Sequence, residues 1–284
     1  QALAAARRAV ELGELSGGTA TINGTLTNLG SALVISNGVL DITNKNASVE
    51  TLTQSSGALA GTGTLTVTGA STITFGDHRG TGSTILQGPT TISSSGFRLD
   101  GGRVLQNQNT LTWDGGQILY NNTVTGASGG AGSGTINNIA GATFIASGNS
   151  ANNIFASNFG VGDTGADALF TNAGTFRKSG SAAGNTTTVD VTFNNSGLVQ
   201  VQSGILSLTN GGTHTGNFDV AAGTVMSFGG ATHNINGGTV TSPGTMRVAG
   251  NAVVNVGTAY NIAGITEVQS GFLNLLGGNA STGS

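Results

Sequence analysis

The chain carries few residues able to do acid–base, metal or nucleophilic chemistry, so each set can be weighed by its spacing. It has 12 Asp and Glu, 9 Lys and Arg, 3 His and no Cys in 284 residues. Asp77, His78 and Arg79 are adjacent in GDHRG. They could hold an anion or trade a proton, but neighbouring residues of an extended loop point in different directions, and a solvated polar loop over 76–82 is the plainer expectation. Asp163 and Asp167 in GVGDTGAD could share a cation. Ca²⁺ needs six to eight oxygens, and the GGxGxD calcium pattern is absent; the competing expectation is a pair of Asp-Gly turns. Asp100 and Asp114 occupy matching positions in FRLDGGRVL and LTWDGGQIL. Stacked carboxylates could hydrolyse a glycoside, whereas Asp before Gly equally serves a tight turn. His214 and His233, in GTHTG and ATHNING, are one repeat apart and could stack as a two-ligand metal site. No third ligand is apparent, and outer ladder residues are the expected role.

The remaining chemistry-bearing groups are sparser. Trp113, Tyr120 and Tyr260 could stack on sugar rings, but aromatics make up only 5%. Alternation with Leu111 turns Trp113 inward. Thr64, Thr66 and Thr68, with Thr72 and Thr74, suggest hydrogen-bonded ladders more than a flat ice-binding array, because the spacing is irregular. Gly-rich matches to nucleotide-binding fingerprints mean nothing with 50 Gly present. Neither catalytic residues nor a cofactor are expected.

The elements that must position these groups are short and repetitive. VQVQSGILSL at 199–208 is two alternating segments joined by a Ser-Gly bend. VQSGFLNL at 268–275, FDVAAGTVMSF at 218–228 and LVISNGVLDI at 33–42 are variants of it. Period-2 alternation bounded by Asn, Gly and Ser marks strands. Phe170 recurs as Phe193 and Val248 as Val268, while Ile136 recurs as Phe170 only after a longer interval. Coils of about 19–23 residues with corner insertions describe an all-β, parallel β-solenoid, each coil burying its apolar face on the next. About 11–13 coils at roughly 4.8 Å each make a stiff rod of about 50–60 Å. Charges fall on the outward parity: Asp219 between Phe218 and Val220, Arg247 between Met246 and Val248, with Arg98, Asp190 and Glu267 placed alike. Residues 121–135 and 149–168 break the period and are expected to protrude.

Gln1–Leu15 is Ala-rich, with a rough helical stripe, and is expected to form a helical N-terminal cap or a linker. Residues 16–284 are expected to form one β-helix, itself a segment of a longer chain. A net charge of −3 without a basic face argues against nucleic acid, and no apolar run approaches the ~20 residues of a transmembrane helix.

FTNAGTFRKSGSAAGNTTTVDVTFNNSGLVQVQSGILSL at 170–208 resembles repeats of giant bacterial surface proteins: β-strand-repeat, autotransporter-passenger and filamentous-haemagglutinin-like chains. LTWDGGQIL is similar to a Trp-x-Gly-Gly coil of the same group. The resemblance covers most of 19–278. It implies a single-stranded, right-handed parallel β-helix exported to the cell surface, serving adhesion, biofilm or extracellular structure, with copies of itself, surface glycans or matrix proteins as partners. No catalytic signature maps onto these residues, and the group's membrane barrel and secretion-signal domain are not expected among them. The alternative is a polysaccharide-binding or polysaccharide-degrading β-helix, including the phage tail-spike type.

Overall fold

Short strands with β-branched and aromatic side chains on one parity cannot bury both faces alone; they need a neighbour one turn above and one below. The computed structural model describes residues 13–24, 27–122, 132–148, 152–160, 162–277 and 279–282, apart from the side chains of 94 and 95. The chain is an all-β parallel β-solenoid of about 13 turns. It divides into two units: 1–112, 117–137 and 156–168 form the first, and 113–116, 138–155 and 169–284 the second.

Each strand of the first unit pairs in parallel with its counterpart a turn away, and three such stacks recur. Ala32–Ile35 pairs with Thr51–Gln54, and Thr51–Gln54 with Ser71–Ile73. Val39–Asp41 pairs with Ala58–Ala60. Ala47–Val49 pairs with Thr64–Val67, and Thr64–Val67 with Ser83–Leu86. Alternation sets the interior: Leu33, Ile35, Leu52 and Ile73 are buried, while Thr53, Thr72 and Thr91 form an exposed in-register column.

The second unit repeats the scheme around larger side chains. Phe144 stacks on Phe176 at 5.3 Å and 9°, and Phe170 on Phe193 at 5.1 Å and 30°. Within each pair the two residues are register partners on adjacent turns. Each fully buried Phe contributes roughly 2–3 kcal/mol of transfer free energy. The expected Val248–Val268 register is also present. Asp219 and Asp190 are exposed, and Arg247 and Glu267 half-exposed, as their parity required.

One corner of this unit sets how closely turns approach. The triplets Asn172-Ala173-Gly174, Asn195-Ser196-Gly197 and His214-Thr215-Gly216 stack, with Asn172 in register with Asn195 and Asn195 with His214. A Cβ on Gly197 would overlap the carbonyl oxygen of Gly174, and one on Gly216 that of Gly197. Inside the corner, Asn138 Nδ2 donates to Asn172 Oδ1 at 2.7 Å, and Asn172 Nδ2 donates to Asn195 Oδ1 at 2.8 Å. Buried amides in such a ladder satisfy one another without reaching solvent.

The structure corrects three expectations. Among the described residues there is no helix. The 1–15 helix fails at its C-terminal end, where Gly13 adopts φ 69° and Glu14–Leu15 pairs in parallel with Ala32–Ile35; residues 1–12 lie outside the described residues. The polar loop over 76–82 begins as a strand, Gly76–Arg79, because it gains a complete ladder against 97–100. Asn152–Ala156, inside the expected 149–168 protrusion, is a strand whose residues 152–155 pair with 187–190. Of the 121–135 segment, 123–131 lie outside the described residues, and Gly134–Asn138 is a strand.

Candidate functional site

Because Gly76–Arg79 is a strand, its parity sends Asp77 out and His78 in. His78 is completely buried. Its Nε2 lies 2.8 Å from Gln54 Oε1, and its Nδ1 lies 3.1 Å from Thr84 Oγ1. Arg103, buried beside it, donates to the carbonyl oxygens of Gly61 at 3.1 Å and Ser83 at 2.9 Å, and to Thr84 Oγ1 at 3.2 Å. Burial lowers the guanidinium pKa to about 10. Burial, and then the charge of Arg103, holds His78 well below the usual imidazole range. This neutral imidazole and cation are both buried, and their hydrogen bonds staple successive turns together. Outside, Asp77 accepts from Arg98 at 3.3 Å, and Arg98 lies 4.5 Å over the Phe75 ring. Asp77, His78 and Arg79 therefore do not converge.

The second interior polar feature is the imidazole pair. His214 and His233 do lie one above the other, 5.6 Å apart and tilted 14°, with Nε2 of His214 3.3 Å from Nδ1 of His233. Both are fully buried rather than on an outer ladder, because His214 takes the inward place that Asn195 holds one turn earlier. Phe218 and Phe228 wall the pair in. A divalent cation there would have two neutral ligands and no compensating charge. Among the described residues no three His, Cys, Asp or Glu side chains come together.

The carboxylates serve separate local contacts. Asp163 is buried within a turn, where its N–H donates to the Gly160 carbonyl at 3.0 Å. Asp167 is exposed and accepts from the Ser133 N–H at 3.0 Å and hydroxyl at 2.7 Å. Asp100 and Asp114 are not equivalent. Asp100 is buried and ends strand Thr90–Asp100, accepting from the Gly101 N–H at 2.8 Å. Asp114 is exposed inside strand Thr110–Tyr120, where Gly115 and Gly116 at φ 133° and 79° bend the chain without ending the strand, and it accepts from Ser147 Oγ at 3.2 Å. Trp113 is inward as expected, and Tyr120 and Tyr260 are buried as well, so none of the three offers a face to a sugar.

Sequence reasoning misses two inward cationic side chains among the described residues. Arg103 follows the Asp-Gly-Gly bend at the inward parity, and Lys178 follows Phe176 by one alternation, its ammonium 2.6 Å from Ser181 Oγ. Parity alone locates both; the rule that charges face out conceals them. The Asn-x-Gly triplets that recur once per circuit and end in His214-Thr215-Gly216 are the signal that His214 is internal.

The outer faces carry polar ladders. Arg177 Nε donates to Gln200 Oε1 at 3.1 Å, and Gln200 Nε2 to Asp219 Oδ2 at 3.3 Å. Asn274 Nδ2 donates to Asn255 Oδ1 at 2.8 Å, and Asn255 Nδ2 to Asn234 Oδ1 at 2.9 Å. Fold and site together define a parallel β-solenoid with polar groups used for internal stapling. No protein family, curated protein or solved structure matches the chain.

Proposed function

We propose that the chain is a structural or adhesive segment of an extracellular bacterial surface protein or fibre, a right-handed parallel β-helix of the β-strand-repeat kind. The observation that supports this reading is the outer surface of the second unit, where amide ladders such as Asn234–Asn255–Asn274 run from turn to turn. Such faces offer closely spaced donors and acceptors with little charge, suited to many weak hydrogen bonds with glycans, matrix proteins or other copies. Residues 157–160 and 162–168, which carry no strand, supply the variable contacts.

The test combines electron microscopy of the purified chain with pull-down on glycan-coated and matrix-coated beads. Ordered assemblies, or retention weakened at least about tenfold when Asn255 and Asn274 become Ala, are expected. Cleavage of a polysaccharide that is lost on Asp114→Asn would overturn the reading in favour of a glycan-degrading one.

A further inference from the structure

The His214–His233 pair has a hydrogen-bond pattern that fixes its protonation. Nε2 of His233 faces the Gly229 carbonyl oxygen at 3.2 Å. A carbonyl only accepts, so this nitrogen carries the proton. Nδ1 of His233 is then a bare lone pair, and Nε2 of His214 must donate to it across 3.3 Å. Nδ1 of His214 is left unprotonated and without a partner, fully inside the core. The neutral pair is thus complete and exposes one proton-accepting atom to an apolar interior.

Among the described residues no packed element offers a counter-charge. Phe193 from Thr192–Asn195, Phe218 from Asn217–Val220 and Phe228 from Val225–Phe228 present rings. The register partners are Asn195 and Ile235 for His214, and Gly212 and Val254 for His233. The titratable group facing each imidazole is the other imidazole. Tyr260, which lines the same core region as Phe228 and Ile235, keeps its phenol protonated because burial raises its pKa. Burial and then the charge of His233 push His214 down to about 3, and burial lowers His233 against the opposing pull of the Gly229 and Leu208 carbonyls.

We propose that the stacked pair is an acid-sensitive latch, holding the turns between Thr192 and Val256 closed while both rings are neutral and releasing them when a proton enters. The opened chain titrates near the ordinary imidazole value of 6.5, and the closed chain lower. The opened state therefore binds more protons. The latch contributes fully above pH 6.5 and loses strength as pH falls from there toward about 3.

The test is amide hydrogen exchange of the full chain at about pH 7.5 and about pH 4.5, corrected for intrinsic exchange, with His214→Phe/His233→Leu as the comparison. In the unaltered chain, opening across Val225–Phe228 and Thr245–Val248 rises at least about tenfold on acidification, and the double variant loses that increment. A double variant that keeps the full acid response overturns the proposal. Should the variant fail to fold, ring nuclear magnetic resonance of the unaltered chain decides. Rings that stay neutral until exchange rises support the latch, and rings that titrate near 6.5 in the closed fold overturn it.

Discussion

Arg103 illustrates what a single residue does inside this fold. Its guanidinium reaches oxygens on two preceding turns, those of Gly61, Ser83 and Thr84, and so replaces packing with hydrogen bonds. Arg103→Met keeps most of the volume and removes every donor; the expected loss is about 3 kcal/mol, read from the urea unfolding midpoint. The parity of each side chain is legible in the sequence, as Trp113 shows, since strand geometry dictates it. The polarity of what the parity brings inside is not legible. His78 reads as a loop residue because GDHRG contains no apolar side chain, and its register with Ala58 and Leu59 one turn back and with Phe97-Arg98-Leu99-Asp100 one turn on makes it a strand.

At the scale of the turn, two features of the second unit set its tolerance to change. Gly216 has no left-handed φ, yet a Cβ there would overlap the Gly197 carbonyl oxygen. Gly216→Ala should therefore cost about 3 kcal/mol by forcing two turns apart. Gly17→Ala, where no atom lies within 4 Å of the new Cβ, should change stability by less than about 0.5 kcal/mol; thermal unfolding of both variants checks the contrast. Asn172→Ala removes hydrogen bonds to Asn138, Asn195 and the Leu198 carbonyl. An expected cost of about 2–3 kcal/mol can be measured in urea. Repeat spacing reveals these turns, since Phe170 and Phe193 pair as their separation implies. Parity with Phe170 and Phe193 puts Asn172 and Asn195 inward; what the spacing does not reveal is that their amides hydrogen-bond to one another from turn to turn.

For the whole chain, charge contributes little. Among the described residues two ion pairs form, Arg98–Asp77 and Arg247–Glu267, both with partly exposed side chains. Raising salt from about 0.05 M to about 0.3 M should change the unfolding free energy by less than about 1 kcal/mol, as checked by urea titration at both concentrations. The Gly174–Gly197–Gly216 column has a consequence for how such a chain can change its length. A corner that closes carbonyl on glycine repeats only after a full circuit, so the tolerated unit of deletion is a circuit and not a residue. Leu198 pairs with Asn217 one circuit later. Excising 198–216 would splice Gly197 to Asn217 and set Arg177 directly against Asp219, trading the intervening Gln200 for an ion pair. That shortened chain should still fold with a near-native circular dichroism spectrum, whereas removing about half a circuit would set strands against corners all the way downstream and should not fold.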